Sequence, residues 1–388
     1  MNHFRDLLLS LLVAMVALSS CRKEEEIIPS SRVRVGVPGR PGKIKGFFLL
    51  NEANMGSNKA TLDYYDYTTA FYTRNIYAER NPNVVKELGD VGNDLQIHGS
   101  RLYAVINVSG LIEVMDVRTA KHIGKLSIPN CRYIAFKDGF AYVSSYAGPV
   151  KIDPNARLGY VAKVDTATLK VVAECPVGYQ PEELLIQGDK LYVANSGGYR
   201  APNYDKTISI IDLKTFTEEK QVDVAINLHR LQLDNYGKIW ASSRGDYKGV
   251  PSRLFVFDPK TERVTKTLEV GCSNMALSGD SLFVYSSEWS YLTGKNTISY
   301  TVIDTKKQEV IDRNFIKDGT DKEIQLPYGL AINSEQGELY LTDAQDYVHP
   351  GQLHCYDLKT GRRKWSVKTG DIPAHIAFTT QPLHPLHH

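Results

Sequence analysis

The sequence is poor in cysteine and nearly balanced in charge. It has five cysteines in 388 residues, and the four beyond residue 21, at 131, 175, 272 and 355, form no CxxC pair. Zinc and dithiol redox motifs depend on closely spaced cysteines, so neither is expected. The formal net charge is only +2. Because nucleic-acid binding requires a basic surface that neutralises phosphates, a nucleic-acid partner is not expected either.

Signatures of several enzyme classes are also missing. The sequence contains no G-x-S-x-G nucleophile turn, P-loop, HExxH pair or EF-hand loop. No catalytic residue, metal ligand or cofactor is therefore assigned. His229 and His375 occupy matching repeat positions and could ligate a metal ion, although a hydrogen-bonded imidazole at a channel rim is the commoner outcome.

The chain has one long apolar run, and it lies at the N-terminus. Residues 7 to 18 follow Arg5 and are too few to span a bilayer, which predicts a signal peptide over residues 1–20. The run ends in Leu18-Ser19-Ser20-Cys21, which resembles the lipobox of bacterial lipoproteins. This resemblance implies that Cys21 is lipidated and anchors the protein to the outer membrane.

A charged patch and a linker follow the lipobox. Residues 22–26, RKEEE, resemble the signal that exports lipoproteins to the exterior face of some Gram-negative cells, which favours a location facing the cell exterior. The next residues are rich in Pro, Gly and Ser, so residues 21–44 are predicted to be a lipidated, flexible tether. Residues 381–388 are predicted to be a tail.

Seven similar segments repeat along the body. Each is a strand-like run that ends in Asp, and a Thr follows three residues later in all copies except the sixth; the aspartates are Asp66, Asp116, Asp165, Asp212, Asp258, Asp304 and Asp357. A spacing of 46 to 53 residues, with several short strands in each unit, predicts propeller blades. Asp side chains at such positions cap turn amides, so we expect a structural role for them.

A second repeated phrase predicts how the ring closes. Its third copy is EELLIQGDKLYVANS from 182, a strand, a turn and a second strand. The seventh copy, AHIAFTT from 374, stops after one strand, and its continuation is GFFLLNEANMG from 46. We therefore predict an all-β, seven-bladed β-propeller over residues 45–380, with four-stranded blades and one blade shared by strands from both termini.

Aromatic residues are concentrated in one set of loops. In a four-stranded blade, the connection that enters the innermost strand and the one that leaves the second strand emerge on the same face. Tyr and Trp bury large areas and hydrogen-bond at their edges, which suits a concave site for a large amphipathic ligand. We predict a ligand-binding mouth formed by Asn51, Asn93, Arg132, Tyr146, Asn195, Tyr199, Tyr204, His229, Arg230, Arg244, Tyr247, Trp289, Tyr291, Tyr328, Tyr347 and His375.

The repeats also carry a family resemblance. LYVANSGG at 191–198 and TISIIDLKT at 207–215 resemble the YVTN-type repeat of YncE-like propellers. Further stretches, including NEANMGSNKATLDYYD from 51, VGYQPEELLI from 177 and SSRGDY from 242, are similar to BtuG-like surface lipoproteins. That resemblance implies capture of cobalamin or a related corrinoid and its delivery to a TonB-dependent outer-membrane transporter.

Two other functions remain open at this stage. A propeller hydrolase or lyase that acts on a glycan or lactone would use acidic and histidine side chains of the same mouth, and Glu182 and Glu183 keep that alternative open. A generic protein-interaction scaffold is the third possibility, because propellers host many functions.

Overall fold

The computed structural model describes residues 29–84 and 87–385. The predicted signal peptide, residues 1–20, and the predicted lipidation site, Cys21, lie outside the described residues. Within the two described ranges nearly all of the regular secondary structure is β-strand, and the strands form seven antiparallel sheets. No helix in these ranges is long and apolar enough to cross a membrane.

Each sheet is one blade of a ring. The described part of the chain begins in the blade that closes the ring, with β1 (Ser31–Arg34), β2 (Gly46–Asn51), β3 (Thr61–Asp66), β4 (Phe71–Arg74) and a short helix, α1 (Ile76–Arg80). Blades 1 to 3 follow: β5 (Gly92–His98), β6 (Arg101–Ile106), β7 (Leu111–Asp116), β8 (His122–Ser127); β9 (Cys131–Lys137), β10 (Phe140–Ser145), β11 (Tyr160–Asp165), β12 (Lys170–Pro176); β13 (Pro181–Gln187), β14 (Lys190–Asn195), β15 (Thr207–Asp212), β16 (Thr217–Asp223).

Blades 4 to 6 have the same order, with the first strand innermost. They comprise β17 (Leu228–Leu233), β18 (Ile239–Ser243), β19 (Arg253–Asp258), β20 (Arg263–Leu268); β21 (Asn274–Ser278), β22 (Ser281–Ser290), β23 (Lys295–Asp304), β24 (Glu309–Asp312); β25 (Pro327–Asn333), β26 (Glu338–Asp343), β27 (Pro350–Asp357), β28 (Arg363–Asp371). A 3-10 turn at Thr320–Glu323 precedes blade 6, and β29 (Pro373–Thr379) is the last strand.

The ring closes where the last strand meets the first full strand. β29 pairs antiparallel with β2, and Gly46 lies opposite Thr379 while Leu50 lies opposite His375. The closing blade therefore runs β29, β2, β3, β4, β1 from the centre outwards. β29 also contacts β5 and β25, the innermost strands of the two neighbouring blades. The predicted seven-bladed propeller, closed by strands from both termini, is confirmed.

Both faces of each blade are buried against a neighbour. In β2, Phe47 and Leu49 pack toward blade 6, whereas Phe48 and Leu50 pack toward blade 1. Side chains alternate between the two faces of a strand, and here both faces are dry, which explains why β2 is apolar along its length. In the described part of the chain, seven hydrophobic clusters each lie between two adjacent blades.

The repeated aspartates cap hairpins, as predicted. Asp165 Oδ1 accepts hydrogen bonds from the backbone N–H groups of Ala167 (2.9 Å) and Thr168 (2.8 Å) and from the Thr168 hydroxyl (3.0 Å). Asp212 and Asp357 accept equivalent bonds from the two amides that follow them in the turn. These turns join the third and fourth strands of each blade, on the face opposite the mouth.

Part of the predicted tether is folded. Within residues 21–44, Ser31–Arg34 form β1, which pairs with β4 as a fifth strand of the closing blade. The chain then reaches blade 6, where the Gln336 side chain donates to Arg40 O (2.7 Å) and accepts from Arg40 N (2.8 Å). The tether prediction is therefore wrong for residues 31–44. β1 is exposed and held by backbone pairing, so its sequence carries no apolar alternation.

The predicted tail, residues 381–388, is also packed over its described part, which ends at residue 385. Leu383 packs against the cluster between the closing blade and blade 1. The His384 N–H donates to Arg118 O (2.7 Å), and Arg80 Nη1 donates to His384 O (2.8 Å). The propeller therefore continues a few residues beyond its predicted end at residue 380.

Replacing Phe47 tests how much the closing contact contributes to stability. Phe47 is fully buried, and its ring centroid lies 4.8 Å from that of Tyr340 in blade 6 and 5.9 Å from that of Phe378 in β29. Because Phe47→Ala leaves a cavity between blades, we expect the free energy of unfolding to fall by about 3–5 kcal/mol in chemical denaturation.

The matched control is Val172→Ala, a change at an exposed position of β12. We expect this variant to stay within about 0.5 kcal/mol of the unmodified protein. A loss below about 1 kcal/mol for Phe47→Ala would contradict the assignment of ring closure to this contact.

Candidate ligand-binding site

A cavity of about 820 Å³ opens on the face where the loops entering the innermost strands meet those leaving the second strands. We call it the mouth cavity. Eleven of the predicted residues line it: Asn93, Arg132, Tyr199, His229, Arg230, Arg244, Tyr247, Trp289, Tyr328, Tyr347 and His375. The repeat positions thus bring together residues that are up to 282 positions apart in the sequence, from Asn93 to His375.

Two of the predicted residues lie behind the cavity wall. Asn51 and Asn195 are fully buried at the ends of β2 and β14. Asn51 Nδ2 donates to Thr61 Oγ1 (3.1 Å), and Asn195 Nδ2 donates to Thr207 Oγ1 (2.9 Å). Contrary to the prediction, neither faces the cavity, because each amide joins the second strand of its blade to the third.

Three of the predicted tyrosines surround the cavity without lining it. Tyr146 is buried beneath Tyr199, with ring centroids 6.2 Å apart, and its hydroxyl donates to Glu182. Tyr291 projects to solvent beside Tyr247, at 6.3 Å between centroids. Tyr204 is half-buried outside the wall. The three extend or support the aromatic surface around the opening.

Two Asp-Tyr turns place tyrosines at the rim. Asp246 Oδ1 accepts from the backbone N–H groups of Lys248, Gly249 and Val250 at 2.8 to 2.9 Å, and Asp346 Oδ1 accepts from the two amides that follow Tyr347. Tyr247 and Tyr347 have φ values of 61° and 65°. The left-handed region is unfavourable for bulky residues, so the aspartate bonds hold each ring in a position that the free loop would rarely adopt.

A long hairpin raises another aromatic side chain above the rim. β22 and β23 each have ten residues, and they stay paired from Ser281 opposite Asp304 to Ser290 opposite Lys295. Trp289 lies near the tip and is 46% exposed. Backbone pairing fixes the hairpin, and the Tyr291 N–H donates to Tyr247 O (3.0 Å), which ties its tip to the neighbouring rim turn.

The floor of the cavity is held by one buried carboxylate. Glu182 accepts from Arg132 Nε (3.1 Å) and Nη2 (2.9 Å) through one oxygen, and from Arg244 Nη1 (3.1 Å) and the Tyr146 hydroxyl through the other. Burial alone would raise the pKa of Glu182, but Arg132 and Arg244 lower it to about 2. Glu182 is therefore ionised at neutral pH, and both of its oxygens are occupied.

His229 is a hydrogen-bonded histidine at the channel. Its Nε2 lies 2.9 Å from the Tyr133 hydroxyl. Burial, followed by the charges of Arg244 and Arg230, lowers the pKa of His229 well below its usual value. The imidazole is therefore neutral at pH 7. In the described part of the chain, no group of three or more His, Cys, Asp or Glu side chains has the arrangement of a metal site.

Glu52 and Tyr133 also line the cavity, although they are not among the predicted ligand-binding residues. Glu52 accepts from the Tyr328 hydroxyl (2.6 Å) and lies 2.9 Å from His375 Nε2. Tyr133 follows Arg132 at the start of β9 and also lines the wall. Each is the sequence neighbour of a predicted residue, Asn51 or Arg132. The register irregularity at Leu50–Asn51, which shifts the alternation of side chains by one residue, gives no signal in the sequence.

The Glu182 network predicts a pH-dependent stability. Because its folded pKa, about 2, is below the unfolded value, the contribution of Glu182 is complete above the unfolded pKa and is lost as the pH falls toward 2. We expect Glu182→Gln to cost about 3–5 kcal/mol at pH 7, since it leaves two arginines without their carboxylate.

The stability lost in Glu182→Gln should become smaller below pH about 4. There the carboxyl of Glu182 is protonated in the unfolded chain but still ionised in the folded protein, so folding gains less from its ionised form. Urea denaturation at pH 7, 5 and 3 measures it. The control is Glu174→Gln, at an exposed position of β12. A difference between Glu182→Gln and the unmodified protein that is independent of pH would contradict this account.

Comparison with known proteins places the fold in a family. A family model described as "Domain of unknown function (DUF5074)" matches residues 45–379. No curated protein matches the chain. Among solved structures, Kuenenia stuttgartiensis hydrazine synthase is similar at 18% identity and a TM-score of 0.54, over 69% of this chain and 77% of that chain.

The Pan2 WD40 domain of Neurospora crassa is similar at 13% identity and a TM-score of 0.50, over 75% of this chain and 80% of that chain. At such identities the likeness to solved structures concerns the fold alone. The family match is of another kind, because it covers the whole ring from β2 to β29. The chain belongs to the DUF5074 family.

Proposed function

We propose that the protein is a non-enzymatic capture protein that binds cobalamin or a related corrinoid in the mouth cavity. The observation that carries this proposal is the combination of an aromatic rim and a polar floor in one cavity of about 820 Å³. A corrinoid is a broad macrocycle with apolar methyl groups and a periphery of amides. Rings of the rim can pack against the methyl groups, while Asn93, the arginines and the tyrosine hydroxyls can bond the amides.

Exposure of the rim supports a binding role. Tyr247, Trp289 and Tyr347 all keep more than a third of their surface in solvent, and the neighbouring Leu292 and Val348 are more exposed still. A contiguous exposed aromatic surface around a concave site is typical of ligand binding. Tyrosine and tryptophan have few rotatable bonds, and the rim turns hold them in place, so little ordering cost remains when a ligand binds.

Glu182 and Glu183, the acid–base candidates of the hydrolase alternative, are not available to a substrate. Both oxygens of Glu182 are occupied by Arg132, Arg244 and Tyr146. Glu183 Oε2 accepts from the Leu231 N–H (2.8 Å), and neither glutamate belongs to the cavity wall. A general acid or base must reach the substrate, so these two carboxylates are better explained as supports of the floor. A generic interaction scaffold does not require a cavity of about 820 Å³.

We further propose that Cys21 is lipidated and that the mouth faces the outer membrane, where a TonB-dependent transporter would receive the corrinoid. Support comes from the path of the N-terminal segment. Ser30 Oγ donates to Glu79 Oε2 (2.6 Å) in α1, which belongs to the connection that enters β5 on the mouth side. The ten-residue stretch from Cys21 to Ser31 can span at most about 35 Å, so an anchor at Cys21 would keep this side near the membrane.

Cyanocobalamin tests the proposal directly. Purified protein mixed with it at micromolar concentration should leave a desalting column as a red complex. Combined replacement of Trp289 and Tyr247 by alanine removes two rim rings, and we expect an affinity about 10- to 100-fold weaker by titration calorimetry.

Tyr236→Ala, which removes an exposed tyrosine from a hairpin on the opposite face, is the matched control and should bind normally. Free elution of the red colour would rule out corrinoid capture. Unchanged affinity in the Trp289/Tyr247 double variant would place the ligand elsewhere.

A further inference from the structure

Three arginines line the mouth cavity, and they differ in how they are paired. Arg132 and Arg244 are both hydrogen-bonded to Glu182. Arg230, on the innermost strand of blade 4, has no such partner. Within the described residues its guanidinium donates no hydrogen bond, and its ion pair with Glu183 Oε1 is long, 3.6 Å from Nη1.

Burial makes the free donors of Arg230 costly. Its side chain is only 13% exposed, and Nε is buried without a partner. Buried donors are nearly always satisfied in folded proteins, and an unsatisfied charged group is among the most costly to bury. The Tyr133 ring, 5.3 Å from the guanidinium carbon, provides a cation–π contact but accepts no conventional hydrogen bond. Arg230 therefore places a charged guanidinium group, whose N–H donors have no hydrogen-bond acceptor among the described residues, in the cavity wall.

Glu183, the nearest carboxylate, does not hydrogen-bond the Arg230 guanidinium. Its Oε2 is already taken by the Leu231 N–H at 2.8 Å, and its Oε1 is beyond hydrogen-bond distance from Arg230. Burial raises the pKa of Glu183 above its usual value, although Arg230 opposes this shift. The remaining acidic group near this guanidinium, Asp94, accepts from the backbone N–H groups of Leu95 (2.8 Å) and Ile134 (3.0 Å).

We infer that Arg230 is the anion-recognition residue of the mouth cavity and binds a phosphate oxygen of the ligand. The planar guanidinium presents paired N–H donors that match phosphate geometry, and such charge-assisted bonds strengthen in a desolvated site. This inference rests on the proposed function and narrows it: the preferred ligand is a complete corrinoid, whose nucleotide loop contains a phosphodiester, rather than a corrinoid that lacks this loop.

The test compares two corrinoids on the same variants. Cyanocobalamin carries the phosphodiester, and dicyanocobinamide lacks it. We expect Arg230→Gln to weaken cyanocobalamin binding at least tenfold and dicyanocobinamide binding less than threefold, as measured by titration calorimetry. Arg230→Lys keeps the positive charge but lacks the planar guanidinium. Its affinity for cyanocobalamin should therefore lie between those of the unmodified protein and Arg230→Gln. Arg263→Gln, at an exposed position of β20, is the matched control and should not change either affinity.

Each outcome decides the inference. Equal losses for both corrinoids would mean that Arg230 contacts the macrocycle, and no loss for either would mean that it contacts nothing; both results overturn the phosphate assignment. If the unmodified protein binds neither corrinoid, the proposed function fails, and inorganic phosphate becomes the deciding probe. The anion site then stands only if phosphate raises the melting temperature of the unmodified protein, relative to chloride at equal ionic strength, and does not do so for Arg230→Gln.

Discussion

The structure depends on the antiparallel pairing of β2 with β29. This register makes a strand from the C-terminus the innermost strand of a blade whose other strands come from the N-terminus. Without it, β2 would expose an unpaired edge at the centre of the molecule, and the apolar clusters on both sides of β2 would open to water. Ring closure also places the mouth loops of all seven blades around one axis, so the cavity forms only when the ring is closed.

Buried charges then link the blades at the floor of the cavity. Glu182 in blade 3 bonds Arg132 of blade 2 and Arg244, which follows the second strand of blade 4. Burying a charge is unfavourable unless it is paired and hydrogen-bonded, and here one carboxylate satisfies two cations and a tyrosine hydroxyl. The charged groups lose their contacts with water, but their hydrogen bonds hold the side chains of the floor in one geometry. A large ligand can then bind with little reorganisation of the site.

Much of the fold could be predicted from the sequence, because its signals are local and repeated. The Asp-capped hairpins recur seven times, and the truncated seventh phrase reveals closure through its missing half. β1 could not be predicted, since an exposed strand held by backbone pairing needs no apolar pattern. The positions of most mouth residues followed from the repeat, but Asn51 and Asn195 showed its limit: a side chain at the right end of a strand can still point into the blade.

Pairing between blades was the other feature that the sequence could not supply. Glu182 looked like a candidate acid or base because two adjacent glutamates follow Pro181, and only the three-dimensional structure brings Arg132 and Arg244 to it. The most direct test of the account is a crystal structure of the protein with cyanocobalamin. It should show the corrinoid in the mouth cavity against Tyr247, Trp289 and Tyr328, with interface backbone shifts below about 1 Å. Ligand density on the opposite face, or blades that rearrange to create the site, would contradict it.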